Sequence, residues 1–254
     1  MNKFKPFKKL NYRLILMVAP TILGYLSIEK AIAHDHVTVL FQPRPENEQP
    51  EETEGAASRQ LGECAANSLA SQSAINDIPN LTALVPQDNH GFTIADRPNF
   101  WVYLPETSAK QAILTIKQKD KTPHWQQLVE LSGKAGITGI KLSNDAPALE
   151  IGKQYQWAVI LVCGNRPSPN DPVVAAWIER VPSAKVNPVD STTEGLEKAS
   201  SYAQQGIWYD ALNALIEVRS PSNSWNNIWS DYLKSGGLAR VADEPIIGNL
   251  LPTK

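Results

Sequence analysis

The sequence predicts a mainly β protein: an antiparallel β-sandwich, immunoglobulin-like or jelly-roll-like, followed by a C-terminal α-helical hairpin of two to three helices. Three observations carry this prediction. Short runs rich in β-branched and aromatic residues recur from about residue 81 to about residue 181, cut by Pro, Gly, Asn and Asp. Proline outnumbers glycine, 19 to 14 in a chain of 254 residues, which suits many short connections. After about residue 190 the apolar period lengthens from two to between three and four. The composition, 42% hydrophobic and 20% charged, excludes collagen-like, coiled-coil and wholly disordered chains.

The expected strands cover residues 81–85, 92–95, 98–104, 111–119, 125–131, 137–142, 154–163 and 173–181. Their spacing is that of a sandwich. The clearest alternation is Tyr155, Trp157, Val159, Leu161 and Cys163, which fall on one face because strand side chains have period two. The opposite face starts polar and turns apolar at Ile160 and Val162, which marks a central strand. In 98–104, Trp101 and Tyr103 face opposite to Phe100, Val102 and Leu104, and one of those faces is a candidate exposed aromatic patch.

Beyond residue 182 the elements are helical. Leu196, Ala199, Tyr202 and Ala203 recur at helical spacing, Gly206 interrupts, and Trp208, Ala211, Leu212, Leu215 and Ile216 begin a second helix. A third helix is expected over 225–233, ending near Gly236 and Gly237. Pro245 and Pro252 predict an irregular tail. The expected organisation is a signal peptide at 1–33, an acidic, Pro-rich disordered linker at 34–60, a β-sandwich domain at 61–181 and a helical region at 182–254.

The signal peptide is read from its three-part pattern. Lys3, Lys5, Lys8, Lys9 and Arg13 precede an uncharged apolar stretch at 14–28, and Ala31 and Ala33 stand at the −3 and −1 positions of a cleavage site. An uncleaved anchor is the competing reading, but a spanning helix needs about 20 apolar residues, and Pro20 and Gly24 interrupt this shorter one. Export to the periplasm or beyond is therefore expected, with no stable membrane insertion after cleavage. Cleavage removes six basic residues and one acidic residue, leaving 18 basic against 25 acidic. That balance disfavours nucleic acid as a partner, since its binders need a basic footprint. Residues 42–60 carry three Pro, five Glu and no large apolar side chain, too little apolar area to offset ordering entropy.

Cys64 and Cys163 are the two cysteines. In an oxidising compartment an even count reads as a disulfide, and two buried thiols are the alternative. Two stretches resemble known families. Tyr202, Gly206, Trp208, Ala211 and Leu212 together resemble one tetratricopeptide repeat. An array needs about three such repeats, so a single hairpin implies docking on the β domain or on a protein partner. The wider match is Leu81-Thr82-Ala83-Leu84-Val85-Pro86, Arg97-Pro98 with Phe100-Trp101-Val102-Tyr103-Leu104-Pro105, Leu149-Glu150 with Gly152-Lys153, Tyr155 and Trp157, then Cys163, Trp177-Ile178-Glu179-Arg180-Val181 and Gly206-Ile207-Trp208-Tyr209-Asp210-Ala211-Leu212. In this order these residues resemble the cyanobacterial domain-of-unknown-function 928 family. The resemblance implies an exported protein of this architecture and brings no catalytic residues with it.

No catalytic signature is found. There is no G-x-S-x-G or H-E-x-x-H, and Ser132-Gly133-Lys134-Ala135-Gly136 lacks the full phosphate-loop pattern and reads as a hairpin turn. Asp88, Asp96, Glu106 and Glu150 flank strand ends, but nothing pairs them as the acid and base of glycoside cleavage. Cleavage after Ala33 would expose His34-Asp35-His36, a nitrogen set that suits Cu(II) or Ni(II), against an accidental spacing in a flexible end. The seven Trp supply core packing, or, if exposed and coplanar, sugar stacking. No cofactor is expected. The leading functional expectation is a non-enzymatic interaction module with an envelope protein partner, its candidate surface formed by Trp101, Tyr103, Tyr202, Trp208 and Tyr209. An envelope carbohydrate-binding module and a hydrolase are the alternatives.

Overall fold

A computed structural model describes residues 37–44, 64, 80–121, 125–187 and 195–250. The expected signal peptide, the candidate metal site at His34 and His36, and most of the linker lie outside the described residues. Eight strands fall close to where the sequence places them: β1 (Thr82–Ala83), β2 (His90–Thr93), β3 (Asn99–Leu104), β4 (Gln111–Gln118), β5 (Trp125–Glu130), β6 (Gly136–Lys141), β7 (Gln154–Val162) and β8 (Val173–Arg180). Three helices follow, α1 (Gly195–Gln204), α2 (Trp208–Glu217) and α3 (Asn223–Ser235), and then β9 (Ile246–Leu250).

The strands form two sheets, ordered β1-β3-β6-β9 and β2-β8-β7-β4-β5. Period-two burial is clean in β4 and β7, where Ala112, Leu114 and Ile116 pack inward with Tyr155, Trp157, Val159 and Leu161. The two inner faces touch where the Phe100 ring of β3 lies 4.9 Å from the Trp157 ring of β7.

The antiparallel expectation is corrected: both sheets are mixed. β2 pairs parallel with β8, and β6 pairs parallel with β9. Both parallel partners are joined by long connections, as parallel pairing requires, and such pairs leave no hairpin signal in the sequence. β9 also replaces the expected irregular tail. Pro245 directly precedes the strand, a position proline tolerates because its missing N–H falls outside the ladder. Its carbonyl accepts from the Ile137 amide at 2.7 Å and so starts the pairing.

Each helix has a physical start or stop. The Ser222 hydroxyl caps α3 by accepting from the Trp225 amide at 3.2 Å. Gly237, at φ +85°, ends it, with the Leu238 amide returning to the Leu233 carbonyl at 2.9 Å. Gly206, at φ +71°, makes the tight α1–α2 turn. α2 is apolar nearly all round, with Trp208, Tyr209, Ala211, Leu212, Ala214 and Leu215 buried, so it sits inside the protein rather than on its surface. Helices and both sheets share one core.

Residues 37–44, within the stretch expected as linker, pack instead against the helices. Val39 is 1% exposed, and Phe41 meets the Trp208 ring edge-on at 4.9 Å. The apolar run Val37-Thr38-Val39-Leu40-Phe41 differs in kind from the Pro- and Glu-rich residues that follow it.

Cys64 and Cys163 form a disulfide with Cα atoms 5.1 Å apart, closing a loop of sequence separation 99. It ties the segment before β1 to the end of β7. Among the described residues no helix is long and apolar enough to cross a membrane. Removing the disulfide by a paired Cys64→Ser and Cys163→Ser replacement is expected to cost about 3–5 kcal/mol by loop-closure entropy. Urea unfolding of oxidised and doubly substituted protein measures this.

Candidate functional site

The best-built region is the start of α2 and what crosses it. Trp208 and Tyr209 are adjacent in sequence, and both are fully buried. The Trp208 indole N–H donates to the Leu84 carbonyl at 2.7 Å, and its ring stacks on Tyr232 of α3 with centroids 4.6 Å apart. The Tyr232 hydroxyl in turn donates to the Trp208 carbonyl at 3.0 Å. Tyr209 reaches the sheets. Its hydroxyl accepts from the Trp157 indole N–H at 2.7 Å and donates to the Trp177 carbonyl at 3.3 Å. Burial drives the Tyr209 and Tyr232 phenols well above their ordinary pKa, so both stay neutral donors. Gly91 of β2 makes the close approach possible: a Cβ there would meet the Tyr209 ring at 2.7 Å.

One turn further along α2, the Asn213 side-chain oxygen accepts from the Trp101 indole N–H at 2.7 Å and from the Asn99 amide at 3.4 Å. Trp101 has room because its cross-strand partner is Gly139, where a Cβ would stand 3.0 Å from the indole. Tyr103 is 2% exposed, and burial, with Glu244 adding, pushes its phenol up to about 12. The surface expected from Trp101, Tyr103, Tyr202, Trp208 and Tyr209 is thus corrected. Four of the five are core, and only Tyr202 is half-buried. Phe100 to Leu104 are all buried, so neither face of β3 is an exposed aromatic patch.

Residues 37–44 form a strap across the helices. The Ser200 hydroxyl of α1 donates to the Thr38 carbonyl at 2.9 Å. The Phe41 amide donates to the Ser235 hydroxyl of α3 at 2.9 Å, and the Gln42 amide to the Ala203 carbonyl of α1 at 3.0 Å. The Arg44 guanidinium donates to the Gln205 carbonyl at 3.3 Å and lies 5.3 Å above the Phe92 ring. Gly206 is part of this seat: a Cβ there would stand 3.0 Å from the Gln42 carbonyl oxygen. Sequence reasoning missed the strap, although a β-branched run bounded by proline is a strand-like signal.

Asp210 fastens α2 to the end of β2. One carboxylate oxygen accepts from the Thr93 hydroxyl at 2.8 Å and from the Ile94 amide at 3.1 Å. Burial pushes this carboxyl up to about 6, against the lowering effect of those hydrogen bonds and of Lys198. On the same strand burial takes the His90 imidazole down to about 4, so it is neutral when folded.

The acids flagged by the sequence stand on separate loops. An Asp88 carboxylate oxygen accepts from the His90 amide at 3.3 Å, Asp96 lies 3.7 Å from Arg97, and Glu106 and Glu150 are exposed. A polar cleft of about 430 Å³ lies between the β4–β5 turn and the start of β7, lined by Lys119, Asp120, Lys153, Gln154 and Glu179 among others. There the Gln154 amide donates to Glu179 at 3.1 Å. Among the described residues no group of three or more His, Cys, Asp or Glu is placed to hold a metal ion.

Tyr209→Phe is expected to cost about 1–3 kcal/mol, because it strips the buried Trp157 N–H of its acceptor. Equilibrium unfolding in urea measures the loss. His90 and Asp210 give opposite pH signs. The unfolded chain takes up a His90 proton that the fold resists, so this contribution is lost as pH falls from 6.5 towards about 4. Asp210 favours its protonated form when folded, so its contribution is present below 3.8 and is lost as pH rises through about 6. Asp210→Asn keeps an acceptor oxygen. It is expected to lose stability more steeply than wild type between pH 6.5 and 4, whereas His90→Gln loses it less steeply.

No curated protein and no solved structure matches the chain. The family model described as Domain of Unknown Function (DUF928) matches residues 54–246, which takes in β1 to β8, the three helices and the first residue of β9. With that match across most of its length, the chain belongs to the DUF928 family.

Proposed function

We propose that the chain is an exported, non-enzymatic protein-interaction module of the cell envelope, and that its helical layer carries the contact surface. One observation carries this reading: the layer already accommodates a polypeptide segment that is neither helix nor strand, residues 37–44, by hydrogen bonds with α1 and α3 and an aromatic contact with α2. Export is supported by the three-part N-terminal pattern and by the Cys64–Cys163 disulfide, which belongs to oxidising compartments. The contact between Phe100 and Trp157 across the two sheets supports reading the β body as a sandwich. That body serves as a rigid support for the helices.

The carbohydrate-module reading has lost its stacking platform. Six Trp are at most 7% exposed, and Trp125 is half-buried. The hydrolase reading needs convergent acids, whereas the four acids considered for it stand on four different loops, with Glu106 and Glu150 exposed.

The test uses photo-crosslinking amino acids in the full chain, at exposed Glu197 of α1 and Lys234 of α3, with exposed Gln126 and Glu130 of β5 as controls. Envelope proteins are expected to crosslink from the helical positions and not from β5, with the processed chain recovered outside the cytoplasm. Equal labelling from both surfaces, or an unprocessed chain in the cytosol, overturns the reading.

A further inference from the structure

We propose that the helical layer is a binding seat for a peptide segment, filled in cis by residues 37–44, and that its partner presents a segment of the same chemistry that displaces this strap. The proposal rests on the interaction-module reading and names the partner's chemistry.

The contacts divide into two kinds. Three are made by the strap's main chain: the Thr38 carbonyl, the Phe41 amide and the Gln42 amide. Any polypeptide segment carries these groups, so they fix direction and register without reading side chains. The others read side chains. Val39 is buried to 1% exposure, Phe41 sets its ring edge on the Trp208 indole, and Arg44 places its guanidinium over Phe92 while donating to the Gln205 carbonyl. Between the two apolar anchors, Leu40 is 46% exposed. The seat therefore asks for apolar residues two apart, a free position between them, and a cation three residues after the second anchor. Main-chain hydrogen bonds supplying affinity, with pockets for alternate side chains supplying specificity, is a general mode of peptide recognition.

The walls of the seat are firm. Trp208 is held by Leu84 and stacked on Tyr232, and α3 is capped at both ends. The occupant is tethered: 19 residues separate Arg44 from Cys64, which the disulfide fixes to the end of β7. An occupant in the same chain competes intramolecularly, at an effective concentration set by the residues that connect it. A partner must compete with that local copy, so the strap raises the threshold for binding and excludes weak ligands.

The experiment uses the full chain and a fluorescein-labelled synthetic peptide of residues 34–44, read by anisotropy. Wild type is compared with the V39A/F41A variant, whose own strap is weakened, with circular dichroism and melting recorded on both. The variant is expected to bind the peptide at least tenfold more tightly than wild type, and a peptide carrying Phe41→Ala is expected to lose that binding. Equal affinity for both chains, or no binding to a folded variant, overturns the inference. So does a variant that fails to fold, because the strap is then a piece of core rather than a displaceable occupant. Failure here together with envelope crosslinks at Glu197 and Lys234 sinks the peptide seat alone; loss of those crosslinks as well sinks the interaction module.

Discussion

The structure depends on one pair of adjacent side chains at the start of α2. Successive residues in a helix point about 100° apart, so Trp208 and Tyr209 serve different neighbours from one backbone position. Trp208 joins the loop at Leu84, the ring of Tyr232 and the strap at Phe41. Tyr209 joins β7 and β8 through Trp157 and Trp177. Each aromatic brings a large apolar area, and each polar tip has a partner, so burial carries no unsatisfied donor. The hairpin is therefore no appendage; it completes the core of the sheets.

This arrangement explains both what the sequence disclosed and what it hid. Strands β3 to β8 were legible because period-two alternation and Pro or Gly punctuation are local signals. The disulfide was legible from an even cysteine count and the export pattern. The helices were legible from the change of period at Leu196 and from the Gly206 turn. Depth was not legible. Trp208 and Tyr209 look like a presentable aromatic surface until one knows that Gly91 leaves a vacancy opposite. The pattern of α2, apolar almost all round, was the available sign of burial. Trp101 likewise reads as a surface candidate because Gly139 and Asn213, which accommodate it, lie far away in sequence.

The misses share a cause. The parallel pairings of β2 with β8 and of β6 with β9 join residues distant along the chain, and no local pattern encodes a distant partner. The strap was hidden by its neighbours: a short apolar run was averaged with the acidic, Pro-rich stretch beside it. Its seat was equally unreadable, since it is assembled from α1, α2, α3 and β2. The polar cleft beside Glu179 also draws on three separate turns and strands.

The parallel pairing of β9 has a consequence for how the protein is made. Ile137 pairs with Tyr103 on one side, but its neighbour on the other side comes only with Ile246, so β6 is an edge strand until the residues up to 250 are available. Everything synthesised before then must wait with that edge and the adjoining core unfinished. Non-local pairing of this kind slows folding and lengthens exposure to aggregation. A chain that emerges amino end first keeps β6 uncovered throughout its elongation, until β9 arrives to lie beside it.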